Sequence, residues 1–250
     1  MNLQGKTALI TGGGRRIGKT IAIALADAGA DIAVHYPASP DETEDLKSEL
    51  DRRNTRSWYL KADFEDDDEC RTLIERTLKT AGSLDILINS ASIFLPDTLM
   101  ETELKDVVRH LKVNSWAPFV LSREFARLVG RGKIVNLLDT RISGYDFGHV
   151  AYILSKYLLS HLTSMTALAF SPEITVNGVA PGLILSPPGQ DESYLEHLSA
   201  TVPLKRHGGA RDIAEAVLYL VTSDFTTGQV IYVDGGRHLM EYGSGQYPHQ

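Results

Sequence analysis

The sequence predicts an α/β fold: a single domain built on one doubly wound parallel sheet of about seven strands, with helices on both faces. Two patterns predict it. Short, nearly unbroken runs of Val, Ile and Leu, typical of strands covered on both sides, alternate along the chain with amphipathic segments of helical period. The first of these runs also passes straight into a glycine-rich turn and then a helix. With 250 residues, 43% hydrophobic and 23% charged, the chain has ordinary globular composition and suits one domain.

The predicted strands are 6–11, 31–36, 57–62, 84–90, 133–138, 174–180 and 229–233. The predicted helices are 17–28, 42–53, 67–80, 103–128, 150–170 and 211–222. The acidic run 65–69 reads as a solvated helix N-terminus, where carboxylates meet the positive dipole end. No repeat of 20–50 residues and no Gly/Ser/Pro-rich linker interrupts the pattern, so residues 1–240 form the domain and 241–250 a tail.

Composition excludes several classes. Twenty-five Lys and Arg against 32 Asp and Glu leave a formal charge of −7, which disfavours nucleic acid as the main partner. No apolar run reaches the ~18 residues of a membrane helix. Ala8-Leu9-Ile10 is too short for the apolar stretch of a signal peptide. Cys70 is the only cysteine, and the eight histidines include no i, i+4 pair, so neither an internal disulfide nor a metal site is expected. The expectation is a soluble cytoplasmic protein.

The glycine turn is Thr11-Gly12-Gly13-Gly14-Arg15-Arg16-Ile17-Gly18. Glycines there let the backbone approach a pyrophosphate, whose charge sits on the amides of the following helix. The spacing is not G-x-G-x-x-G, and a glycine turn alone also serves as a tight connection; its place after the first strand gives it weight. A site for NAD usually carries a carboxylate about 20 residues on, at the second strand's end. Here that strand ends His35-Tyr36-Pro37-Ala38-Ser39, with the next acid at Asp41, while Arg15 and Arg16 bring two cations. A ribose 2′-phosphate meets attraction, which favours NADPH.

Tyr152 and Lys156 stand four apart, one above the other on a helix face. A tyrosine near its ordinary pKa of ~10 is a poor acid at neutral pH, and a neighbouring cation lowers that value. Taken alone, such a pair is also a common surface feature. Asn89-Ser90-Ala91-Ser92 and Pro181-Gly182 follow the fourth and sixth strands, at the C-terminal strand ends where ligands bind in such sheets.

Together, Thr11-Gly12 through Gly18, Asp63, Asn89-Ser90-Ala91, Asn114, Tyr152 with Lys156, Pro181-Gly182 and Asp234-Gly235-Gly236 resemble the short-chain dehydrogenase/reductase family, with its Rossmann-like fold. The departures are informative. Arg16 stands where the family usually has glycine, and Asp139 stands thirteen residues before Tyr152, where the family has its catalytic serine. Asn89-Ser90-Ala91-Ser92-Ile93-Phe94 replaces the usual Asn-Asn-Ala-Gly. These features resemble the pteridine reductase branch, and the stretches 180–185 and 234–239 resemble bacterial dihydromonapterin reductases.

That resemblance implies a set of roles. Asp139 and Tyr152 would protonate a ring nitrogen, with burial raising the Asp139 pKa as a proton donor requires. Lys156 would hold the nicotinamide ribose and tune Tyr152, and Asn114 would order a water leading to Lys156. Asp63 and Phe64 would border the adenine; Asn89, Ser90 and Ala91 would support the adenosine ribose side. Gly12, Arg15, Arg16, Ile17 and Gly18 would hold the phosphates, with His35, Tyr36 and Ser39 near the 2′-phosphate. Pro181, Gly182 and the backbone at Ile184 would meet the nicotinamide. Ser92, Leu183 and Phe94 would contact a pterin, Phe94 by stacking, and Arg16 would bridge a phosphate and a pterin acceptor. Residues 186–202 would form a flexible substrate flap, dissimilar to that of parasite pteridine reductases, and relatives pair through the helix near Val150 into homotetramers.

The implied activity is NADPH-dependent reduction of dihydropterins, with dihydrofolate a further candidate. Two alternatives stay open: a carbonyl reductase acting on 3-oxoacyl thioesters, and a non-catalytic NADPH-binding sensor.

Overall fold

The computed structural model describes residues 2–186 and 192–240. Seven strands form one parallel sheet in the order β3-β2-β1-β4-β5-β6-β7: β1 (Thr7–Ile10), β2 (Asp31–Tyr36), β3 (Ser57–Lys61), β4 (Ile86–Asn89), β5 (Gly132–Leu137), β6 (Ile174–Pro181) and β7 (Val230–Val233). All seven coincide with the predicted apolar runs. The direction of strand addition reverses between β1 and β4, and the crevice at that point is where such sheets take ligands.

Side-chain alternation explains why the runs are continuous. Ala8, Ile10, Ile32, Val34, Ile86, Ile88 and Val135 point to one face, where they meet Ile21 and Leu25 of α1 (Arg16–Asp27) and Val217 and Leu220 of α8 (Ala210–Thr222). Leu9, Ala33, Leu87, Ile134 and Val176 point to the other. There they pack on Leu73 and Ile74 of α3 (Asp67–Ala81) and on Leu121 and Phe125 of α5 (Ala117–Leu128). With both faces buried, neither register of the strand can be polar. Each fully buried large side chain contributes roughly 1.5–3 kcal/mol.

Local signals set the helix ends. Asp66 caps α3, its Oδ1 accepting from the amides of Asp68 and Glu69, so the acidic run does lie at a helix N-terminus. Gly82 ends α3 in the left-handed conformation at φ 83°. Helix α6 (Val150–Ala169) is capped from a distance instead: Asp97, in the loop after β4, accepts from the Ala151 amide at 3.0 Å.

Two expectations are refined. The predicted helix over 103–128 is α4 (Leu104–Leu111), a π-helical turn over Lys112–Trp116, and α5. Pro118, in the first turn of α5, has no amide to give the Asn114 carbonyl, so the regular ladder breaks there. Within the expected flexible flap, Glu192–Ser199 is a helix, α7, held by Leu195 against Leu183 and Val202. The remaining helix is α2 (Glu44–Arg52). Pro187-Pro188-Gly189 and the tail 241–250 lie outside the described residues. Among the described residues no helix is long and apolar enough to cross a membrane.

Candidate active site

The glycine turn is shaped by close approach. A Cβ on Gly18 would lie 2.3 Å from the Gly12 carbonyl oxygen, and one on Gly14 would lie 2.5 Å from that of Glu42. Gly12 itself has φ 61° and rests against Ala91. The first-turn amides of α1 have no intrahelical acceptor, Arg15 provides no side-chain cap, and no acid stands in that turn. This donor set fits an anion such as a dinucleotide pyrophosphate. Arg15 is exposed and only loosely paired with Glu42 at 3.8 Å. Arg16 adopts φ 52°, the left-handed region in which a side chain is strained, and its Nη2 donates to the Ser186 carbonyl at 2.8 Å. Its guanidinium thus joins the glycine turn to the segment after β6.

His35 is placed differently from the expectation. It is buried, and both ring nitrogens are used: Nδ1 accepts from the Gly12 amide at 3.1 Å, and Nε2 donates to the Ala62 carbonyl at 2.8 Å. None is left for a phosphate; the ring supports the turn from beneath. Phe64 is likewise buried and stacks on His35 at 4.2 Å, while Asp63 beside it stays exposed. Burial pushes the His35 pKa down to about 4. The unfolded chain takes up that proton near pH 6.5, so stability present above pH 6.5 is lost as pH falls towards 4. Between pH 7 and pH 5 the loss carried by His35 is expected to be about 2 kcal/mol in urea unfolding. A His35→Gln variant with the wild-type pH slope would contradict it.

At the strand ends, Thr11 Oγ1 accepts from the amides of Ser90 and Ala91, tying β1 to the segment after β4. Asn89 is buried and donates to Asn136 at 2.8 Å, an in-sheet link that leaves its Oδ1 without a partner. Tyr36 and Ser39 are half-buried at the end of β2, where Ser39 Oγ accepts from the Asp41 amide. Gly182 donates its amide to Val233, and a Cβ there would lie 2.4 Å from that of Asp234. Pro181 ends β6 beside Val233, and Ile184 is buried in the core. Leu183 is buried against Leu195 and Val202, so its side chain packs against α7. Ser92 is exposed.

Asn114 lies in the π-helical turn. Its Oδ1 accepts from the Ile93 amide at 2.8 Å, and its Nδ2 donates to the Ile93 carbonyl and to Ser155 Oγ. The side chain is a clamp on the loop after β4.

Asp139, Tyr152 and Lys156 do converge. Tyr152 donates to Asp139 Oδ2 at 3.0 Å, and one turn later Lys156 Nζ donates to the Leu137 carbonyl at 2.8 Å, 5.6 Å from the Tyr152 ring centre. The charge state of Asp139 is the opposite of the expected one. Burial alone would raise its pKa, but Arg141 closes on both carboxylate oxygens: Nε and the backbone amide reach Oδ1 at 2.9 Å, and Nη2 reaches Oδ2 at 2.8 Å. The pair holds Asp139 below the ordinary carboxylate range, so it is ionised. Tyr152 is also reversed: burial, then the Asp139 charge, push its pKa well above 10. Burial lowers Lys156 to about 8.

Arg141 escaped the sequence reading. It also pairs with Asp146, which binds His149 Nδ1 at 3.2 Å, and its guanidinium carbon lies 5.3 Å from the ring centres of both Phe94 and Tyr152. The only local signal was a charged residue two places beyond Asp139 in a strand-end turn. Phe94 is edge-on to Tyr152 at 4.7 Å and stacked on His149 at 4.2 Å, so one of its faces is already covered.

A phenol bonded to an ionised carboxylate, an ammonium beside it and a glycine turn shaped for pyrophosphate define a dinucleotide-dependent oxidoreductase. A family model described as enoyl-(acyl carrier protein) reductase matches residues 13–238. The 3-oxoacyl-(acyl-carrier-protein) reductase FabG of Staphylococcus aureus is 32% identical over 248 residues, covering 94% of this chain and 98% of that one. Among solved structures, FolM alternative dihydrofolate reductase 1 from Brucella canis, complexed with NADP, superposes with a TM-score of 0.89 at 31% identity, covering 98% of each chain. A blue fluorescent protein from a metagenomic library, in complex with NADPH, gives 0.86 at 34% identity, covering 95% of this chain and 99% of that one. The chain belongs to the short-chain dehydrogenase/reductase family.

Proposed function

We propose that this protein is an NADPH-dependent reductase of dihydropterins. The observation that carries the reading is Asp139, a carboxylate in direct hydrogen bond with the catalytic phenol where a ketone reductase of this family keeps a hydroxyl. Two further features support it: the strained Arg16 reaching towards the segment after β6, and full-length similarity to a FolM alternative dihydrofolate reductase. Arg15 and Arg16, with no acid at the end of β2, favour the cofactor that carries a 2′-phosphate.

Held by the glycine turn and the strand ends, NADPH would supply the hydride for a ring carbon of the substrate. The adjoining nitrogen then holds a lone pair far more basic than a phenolate, so even a phenol of raised pKa protonates it. That proton leaves the Tyr152 hydroxyl. Asp139, already ionised, aims the hydroxyl and does not itself donate. The Lys156 ammonium offsets the phenolate left behind. Exposed Leu154, Leu158 and Met165 along α6 support assembly with further copies of this chain.

A second reading, reduction of 3-oxoacyl thioesters, is favoured by the full-length similarity to FabG. NADPH oxidation followed in parallel with dihydrobiopterin, dihydromonapterin, dihydrofolate and an acetoacetyl thioester separates the two. A dihydropterin is expected to give the highest kcat/KM, with NADH a poor substitute. Turnover of the thioester alone would reject the pterin reading.

A further inference from the structure

We propose that Arg141 is a positioning residue of this centre: its guanidinium fork fixes Asp139 as the acceptor for the Tyr152 hydroxyl and so assigns delivery of the substrate proton to the phenol. The geometry is that of a clamp. Arg141 follows Asp139 by two residues in a 3₁₀ turn, Thr140–Ser143, so backbone amide, Nε and Nη2 all close on one carboxylate. Its Nη1 is anchored from the other side by Asp146, which the Gly148 amide and His149 hold in turn. The Phe94 and Tyr152 rings flank the guanidinium. The side chains of Arg141 and Asp139 are only 18% and 13% exposed, so the pair acts in a medium where removing one partner is costly.

The charged and titratable groups around Asp139 come from two elements besides its own turn. Helix α6 contributes Tyr152 and Lys156, and the segment before it contributes Asp146 and His149. Arg141 is the cation in direct contact with the carboxylate; Lys156 donates to the Leu137 carbonyl and bears on Asp139 through its charge. With Arg141 in place, Asp139 is an anion that accepts the phenolic hydrogen bond. Without it, the upward push of burial on Asp139 is no longer opposed by the fork, and its pKa rises. Asp139 would then compete as the acid, and the hydrogen bond with Tyr152 could reverse its direction. One turn residue thus decides which of two groups is the donor.

The proposal rests on the reductase reading only for where the proton ends up, so its test has an arm that needs no substrate. In protein labelled with carboxyl-¹³C aspartate, the Asp139 signal is identified by its loss in Asp139→Asn. It is expected to titrate below the ordinary carboxylate range in the wild type and to move up by about one unit or more in Arg141→Met. In Arg141→Lys, which restores charge without the fork, it is expected to fall between. On whichever substrate the protein reduces, the kcat/KM profile of Arg141→Met is expected to gain a limb at the same raised pH, relieved by added guanidinium ion. A substitution that merely loosened the fold would shift neither titration nor limb. Identical Asp139 titrations in wild type and Arg141→Met would overturn the proposal. Should Arg141→Met fail to fold, the wild-type signal decides: an Asp139 that titrates at or above the ordinary range overturns it. Failure of every pterin as substrate would leave these outcomes unchanged.

Discussion

Replacing Tyr152 with phenylalanine is expected to lower kcat by about a hundred- to ten-thousand-fold, the range typical of a lost general acid. The substitution removes one oxygen and keeps the ring, so the edge contact with Phe94 and the packing of α6 survive. Asp139 loses the Tyr152 hydrogen bond but keeps those from Arg141, and so stays an anion. With its oxygens still held, it cannot take over as donor. KM and NADPH affinity are therefore expected to stay near the wild-type values, because the phenol acts on the proton and not on the glycine turn. Steady-state kinetics beside fluorescence titration of NADPH measure both. A Tyr152→Phe protein that retained most of its kcat would remove the phenol from proton delivery.

Gly18→Ala is the second large effect, and it acts at the other end of the site. The added Cβ would stand 2.3 Å from the Gly12 carbonyl oxygen and 3.0 Å from Gly13 Cα, both backbone atoms that no rotamer can move aside. The turn must open or α1 must shift from the sheet, at a cost of about 1–3 kcal/mol. Either movement breaks the link from the Gly12 amide to His35 and displaces the first-turn amides. NADPH binding is expected to weaken by tenfold or more, roughly the 1.4 kcal/mol that a decade requires. Thermal unfolding should fall in parallel. Calorimetric titration that returned the wild-type affinity would show that this contact relaxes without effect on the turn.

The parallel sheet was legible because burial on both faces leaves a one-dimensional mark: runs such as Ala8-Leu9-Ile10 and Ile86-Leu87-Ile88 send alternate residues to opposite cores. The π-helical turn between α4 and α5 was not. Pro118 marks one lost backbone hydrogen bond, and the sequence does not say whether the helix kinks, ends or takes it up in a wider turn. Within the site, Tyr152 and Lys156 could be placed on one helix face from their spacing, while Asp139 was singled out only because the family resemblance puts a serine there. Their charges could not. Asp139 looked like an acid in an apolar pocket, and only the folded turn shows Arg141 doubling back onto it. His35 and Phe64 likewise had positions at strand ends but no visible partners, since the Gly12 amide lies 23 residues away from His35 in the chain.

A competition in one vessel asks which substrate the enzyme prefers. NADPH carrying deuterium at the transferred position is offered dihydrobiopterin and an acetoacetyl thioester at equal concentration, and the products are analysed by mass spectrometry. The label is expected to accumulate mainly on the tetrahydropterin ring. Label found chiefly on the hydroxyacyl thioester, with the pterin recovered unlabelled, would contradict it.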